Sequence, residues 1–267
     1  MNIDLTGKTA LVTGGSKGIG EGAARALSQA GATVIICARN GEEATKTAQK
    51  ISGETGHTVK AYVADVTRQE DVDKMIHDVE AEYKGVDILV NNAGSAGTIA
   101  PFMDVPAQDY LDLYDQNVVS MVRFTKAVLP YMRSKKWGRI INISSENGLQ
   151  PYPDMMQYNL TKAANLSFSK GLSKLVGAEG ILVNSVSPAF IYTPLVDTMM
   201  EKMAGEKGIS KDDAVQEFIR ENRPTLDLKR PGTIEEVGAA VVFLASEQAS
   251  FINGTNLRVD GGSVASI

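Results

Sequence analysis

The chain has 267 residues, 43% hydrophobic and 22% charged, with a net charge of −5 and a pI near 5.2. This balance excludes a disordered chain and offers no overall positive field for a nucleic-acid backbone. One cysteine (Cys37) and two histidines (His57, His77) exclude an intrachain disulfide and a cysteine-rich zinc site, and they leave few candidates for an imidazole relay.

Short β-branched runs alternate with longer stretches at helical spacing. Strands are predicted at Thr9–Thr13, Thr33–Ala38, Val59–Ala64, Val86–Val90, Arg139–Ser144, Ile181–Val186 and Asn256–Val259. Helices are predicted at Ile19–Ala30, Glu42–Thr55, Gln69–Tyr83, Pro106–Ser134, Met155–Val176 and Ile234–Ser246. The strand runs are mostly apolar throughout, as for strands buried on both faces of a parallel sheet. The expected fold is α/β: a seven-stranded, doubly wound, Rossmann-type parallel sheet with helices on both faces, in one domain over residues 1–267. Residues Leu195–Arg230 break the rhythm with Met, Lys, Glu and Asp. They read as one or two amphipathic helices forming an inserted lid, with Ser210 and Asp213 marking a helix start.

No apolar run approaches the ~18 residues of a membrane span. The first seven residues lack the basic-then-apolar pattern of a signal peptide. A cytoplasmic protein with no membrane or nucleic-acid partner, and no metal, is the expectation.

The first strand runs into Thr13-Gly14-Gly15-Ser16-Lys17-Gly18-Ile19-Gly20 and then a helix. Glycines there permit a tight turn and close approach to a pyrophosphate, which the helix N-terminus attracts. At the end of the second strand, where an acid would hold the ribose 2′-hydroxyl of NAD, the chain reads Ala38-Arg39. Arg39, aided by Lys17, suits a 2′-phosphate, so the expected cofactor is NADP(H).

Tyr158 and Lys162, four apart in a helical stretch, share one face. An ammonium beside a phenol favours the phenolate, so Lys162 is expected to lower the pKa of Tyr158 and fit it for acid–base work. The fourth strand ends in Asn91-Asn92-Ala93-Gly94 and the fifth in Ser144-Ser145. Both lie at the carboxyl edge, where open α/β sheets bind ligands. Asn117 interrupts the long helical stretch after Pro106.

With these residues the whole chain resembles the short-chain dehydrogenase/reductase family. The likeness extends over Asp65-Val66, Ser187-Pro188 through Thr193-Pro194, and Asp260-Gly261-Gly262. The resemblance implies that Tyr158 is the acid/base, that Ser145 rather than Ser144 bonds the substrate oxygen, and that Lys162 also binds the nicotinamide ribose. It implies that Asn117 holds a relay water, and that Asp65 and Val66 flank the adenine. Asn92, Ala93, Gly94 and Pro188 would line the cofactor edge, and Ile191 and Thr193 would hold the carboxamide. One departure is Ala189, where the family has glycine. It also implies assembly as a homodimer or homotetramer through the long helices.

The lid pattern is similar to that of 3-hydroxybutyrate dehydrogenases. Yet Ala96, Asn147, Met155, Phe190 and Met199 stand where a carboxylate would need cationic or amide donors. The expected reaction is therefore interconversion of a bulky, largely apolar ketone and its secondary alcohol, in a pocket rich in Met, Phe, Tyr and Leu. Phe102, Met103, Leu149 and Met156 are among its residues. Reduction of a 3-oxoacyl thioester is the alternative, served by a basic patch of Arg123, Lys126, Arg133, Lys135 and Lys136. A non-catalytic nucleotide sensor would not need Tyr158 and Lys162 together.

Overall fold

The computed structural model describes residues 3–266. Seven strands form the sheet: β1 (Thr9–Thr13), β2 (Thr33–Ala38), β3 (Val59–Val63), β4 (Ile88–Asn91), β5 (Gly138–Ile143), β6 (Ile181–Pro188) and β7 (Asn256–Val259). All pair in parallel, in the order β3-β2-β1-β4-β5-β6-β7. The winding reverses between β1 and β4, which opens a crevice at their carboxyl ends.

Side chains alternate across the pleat, so each strand feeds two cores. Ala10, Val12, Val34 and Ile36 face α1 (Gly18–Gln29), α2 (Gly41–Thr55) and α9 (Ile234–Ala245). Leu11, Ile35, Cys37 and Leu89 face α3 (Gln69–Tyr83), α5 (Ser120–Lys135) and α6 (Met156–Val176). This two-sided burial is why the central strands read as apolar runs. The edge strands β3 and β7 differ, with Val63 and Arg258 exposed, because each has a neighbour on one side only.

The stretch expected as one helix over 106–134 is two helices, α4 (Ala107–Tyr114) and α5, joined by a π-helical turn at Asp115–Val119. The helical phase continues past one extra residue, so apolar spacing alone does not reveal it. The 195–230 segment forms α7 (Pro194–Lys207) and α8 (Lys211–Asn222) over a small core of Phe190, Met200, Val215, Ile219 and Leu226. Ser210 caps α8 as expected, accepting from the Asp213 amide at 3.1 Å. Among the described residues no helix is long and apolar enough to cross a membrane.

Candidate active site

The glycine loop turns at Gly14 (φ +64°) and Gly18 (φ +57°), both in the left-handed region that favours glycine. A methyl on Gly20 would fall 2.2 Å from the Gly14 carbonyl oxygen, so only glycine lets the turn close onto α1. Asn92 fastens the loop from β4: its side-chain amide donates to the Thr13 carbonyl at 2.9 Å and the Gly14 carbonyl at 3.1 Å. The amides of Asn92 and Ala93 both donate to the Thr13 hydroxyl at 3.0 Å. Ile19 is half-buried in the first turn of α1. On the far side, Thr193 caps α7 and lies within 3.6 Å of where a Gly18 methyl would sit. Pro188 ends β6 opposite Val259, and Ile191 is buried and bridged to Gly232. Ala189 is not among the non-glycine residues at positive φ (Lys84, Lys136, Lys229), so its methyl strains no backbone. This cradle, open where a side chain would fill it, fits a dinucleotide pyrophosphate.

Arg39 is exposed at the end of β2. Asp65 ends the chain past β3, held below the usual carboxylate range by the Thr67 amide and hydroxyl and, further off, by Arg39 and Arg68. Val66 beside it is buried. The sequence reading missed Glu43. Its carboxylate accepts from the Ser16 hydroxyl at 3.0 Å and lies 3.5 Å from the Lys17 ammonium. The signal was local: Asn40 caps α2 by accepting from the Glu43 amide at 3.1 Å, which turns this side chain back over the glycine loop. Lys17 therefore already has an anionic partner, and Arg39 is the more available cation.

At the carboxyl end of β5 the two serines diverge. Ser144 donates to the Lys162 carbonyl at 2.9 Å, while the Ser145 hydroxyl donates to the Asn147 side-chain oxygen at 3.1 Å. Asn147 in turn donates to Asn159 at 2.8 Å, next to Tyr158 on α6. The Lys162 ammonium donates to the Ile143 carbonyl at 2.9 Å and lies 5.4 Å from the centroid of the Tyr158 ring. Asn117, in the π-helical turn, spends its side chain on both backbone groups of Ser95 (2.9 Å each) and on Thr161 (3.1 Å). Gly94 packs against it. The end of β5, the π-helical turn and the stretch after β4 thus meet on the first turns of α6, which carry Tyr158.

The electrostatics correct one expectation. Burial holds the Tyr158 phenol above its ordinary value; the Ser145 hydroxyl pulls it down and the Glu146 carboxylate pushes it up. Lys162 is not what sets it. Its ammonium is itself buried, which pushes it down to about 8. Cys37 and the histidines stand apart: burial pushes the Cys37 thiol up to about 12, and His57 and His77 are exposed on the surface. No cluster of three His, Cys, Asp or Glu suited to a metal occurs among the described residues.

The residues read as a substrate pocket separate into two groups. Phe190 and Met200 are buried in the α7–α8 core, and the Asn147 amide is occupied by Asn159. Phe102, Met103, Leu149, Met156 and Met199 remain exposed. An open cavity of about 580 Å³ lies between the 99–102 loop and Pro153-Asp154, just ahead of Tyr158 in the chain.

A family model described as Enoyl-(Acyl carrier protein) reductase matches residues 14–264. The chain belongs to the short-chain dehydrogenase/reductase family and is an oxidoreductase of carbonyl and alcohol groups. It is 38% identical to the uncharacterized oxidoreductase YvrD of Bacillus subtilis (strain 168) over the full length of both. It is 37% identical to the 3-oxoacyl-[acyl-carrier-protein] reductase FabG of Chlamydia muridarum, covering 98% of this chain and 99% of that one. Its fold matches the crystal structure of L-sorbose reductase from Gluconobacter frateurii, complexed with NADPH and L-sorbose, with a TM-score of 0.94 and 31% identity over 100% of both chains.

Proposed function

We propose that this protein is an NADP(H)-dependent reductase of a bulky, largely apolar ketone, with residues 195–230 as a lid over its site. The observation that carries the reading is the meeting of Tyr158, Ser145 and Lys162 beside the glycine cradle, with Arg39 at the adjoining end of β2. Gly14, Ser16, Gly18 and Gly20 would hold the pyrophosphate, and Arg39 and Lys17 the 2′-phosphate. Asp65, Val66, Ala93 and Gly94 would border the adenosine half, and Ile191, Thr193 and Lys162 the nicotinamide half. The cofactor, when bound, supplies the hydride that reduces the carbonyl carbon.

The chain's residues then handle orientation and the proton. The Ser145 hydroxyl donates to the carbonyl oxygen and fixes its position. Tyr158 is protonated at neutral pH because burial holds its pKa up, so its hydroxyl donates a proton to that same oxygen as charge develops there. Lys162, charged at neutral pH, would bind the nicotinamide ribose of the cofactor. Asn117 would hold the water through which the proton is replaced.

The exposed Phe102, Met103, Leu149 and Met199 favour an apolar partner over water, and methionines adapt to varied shapes. The thioester alternative is supported by the FabG relatives, but its basic patch is weaker than its sequence suggests. Arg123 pairs with Asp115 at 2.7 Å and Arg133 with Glu179 at 2.7 Å. Arg133, Lys135 and Lys136 also end α5 where β5 begins, at the sheet edge opposite Tyr158. Cytoplasmic placement and a homodimer or homotetramer complete the proposal.

The test is NADPH consumption at 340 nm across an apolar cyclic ketone, a polar keto-sugar and a 3-oxoacyl thioester, repeated with NADH. We expect the highest kcat/KM for the apolar ketone with NADPH. Preference for the thioester, or NADH performing as well as NADPH, would overturn the proposal.

A further inference from the structure

Glu146 follows Ser145 directly and is 2% exposed, and its part in the site described above is only the upward push of its charge on the Tyr158 phenol. Its carboxylate is nonetheless gripped from two distant parts of the chain. The Arg223 guanidinium, from the segment just after α8, brings Nε to 3.1 Å of Glu146 Oε1, a close ion pair whose N–H does not point in line at the oxygen. The Ser263 hydroxyl, near the C-terminus, donates to Oε2. Arg223 is itself held in orientation: its guanidinium lies 4.1 Å over the Tyr152 ring and 5.6 Å from that of Phe218, and Phe218 packs 4.8 Å from Phe190. Gln150, in the same loop as Glu146, reaches the Ser263 carbonyl at 3.3 Å, and the Leu228 amide donates to Gly261 at 3.1 Å. The end of the 195–230 segment, the C-terminal stretch and the loop after β5 therefore converge on one carboxylate.

From Glu146 the connection to the reacting groups is short. Its neighbours in sequence, Ser145 and Asn147, bond each other, and Asn147 bonds Asn159 beside Tyr158. A buried ion pair contributes little net stability, because desolvation offsets attraction; its better-attested use is to fix register. A planar guanidinium stacked on an aromatic ring suits that use, since both direction and distance are set.

We infer that Arg223 is a positioning residue: its ion pair with Glu146 registers the 195–230 lid against the Ser145 hydroxyl. The contact that seats the lid thereby sets the geometry at the carbonyl. This rests on the assignment of Ser145 and Tyr158 as the groups that meet the substrate oxygen.

The test is the double variant Arg223→Met/Glu146→Gln, which removes both charges at similar volume and leaves no unpaired ion. A melting temperature within a few degrees of wild type establishes that the fold survives. The expected result is at least a tenfold fall in ketone kcat/KM, with part of it in kcat. NADPH affinity by fluorescence titration stays within twofold, and backbone hydrogen exchange speeds up over residues 211–228. A kcat/KM within threefold of wild type, a loss confined to KM, an equal loss of NADPH affinity, or unchanged exchange over 211–228 would each overturn the inference. If wild type reduces no ketone at all, the proposed function fails, and hydrogen exchange alone decides whether the pair registers the lid.

Discussion

Lys162 carries its charge in a buried place. Its folded pKa is pushed down from 10.5 to about 8 by burial, so between those values the unfolded chain binds more protons than the folded one. Stability from this residue therefore rises with pH across that window, by roughly 3 kcal/mol at most. Urea unfolding at pH 8 and pH 10 checks this: wild type should gain stability relative to Lys162→Met, and an equal response of the two would contradict the buried ammonium. Arg39 is the other residue with a separable effect. Arg39→Ala should weaken NADPH about tenfold, near 1.4 kcal/mol, and leave NADH unchanged. Titration of both cofactors measures it, and an equal loss for both would remove Arg39 from the 2′-phosphate. At this scale the sequence exposes residue types and local spacing, which is enough to single out Tyr158, Lys162 and Arg39 as candidates. It does not expose Glu43 against Lys17 or Arg223 against Glu146, because such pairs depend on where the fold brings separate segments.

Among the elements, the turn at Asp115–Val119 matters most for the site. A π-helical turn offsets the helix so that Asn117 faces Ser95 and Thr161 instead of continuing the surface of α4. Asn117→Ala would remove the side-chain partner of both Ser95 backbone groups, while the Thr161 hydroxyl keeps its bond to the Tyr158 carbonyl at 2.9 Å. Ser95 is exposed, so water can meet part of the loss; a net cost of about 1 kcal/mol, a fall of a few degrees in melting temperature, is expected along with lower kcat. Unchanged values of both would show that the turn holds its shape without this side chain. The periodicity that reveals helices averages over several turns, which is why 106–134 reads as one helix. The same averaging succeeds for the strands, where burial on both faces leaves an uninterrupted apolar run, and it also finds the half-covered edges: Asn256–Val259 is β7 as expected and Val59–Ala64 overruns β3 by one residue. The capped start of α8 was legible because Ser210 and Asp213 form a local device that needs no tertiary partner.

Over the whole molecule, the parallel sheet gathers the carboxyl ends of β1, β2, β4, β5 and β6 on one edge. The glycine loop, Arg39, the Asn91–Gly94 stretch, the serines and Pro188–Thr193 are thereby brought together from positions spread over 180 residues. The opposite edge holds the structural cations at the end of α5. The glycine loop lies at the end of β1 and Tyr158 on α6 by the end of β5, so a change at the phenol hydroxyl leaves the pyrophosphate cradle in place. The scarcity of histidine and cysteine fits the proposed arrangement, in which the half-buried Tyr158 phenol would carry the proton. The most direct measurement is steady-state turnover of Tyr158→Phe with NADPH and the best ketone, alongside NADPH affinity. The expected result is loss of more than 99% of kcat with affinity within twofold of wild type; a variant that keeps more than a tenth of wild-type kcat would contradict the assignment of Tyr158 as the acid.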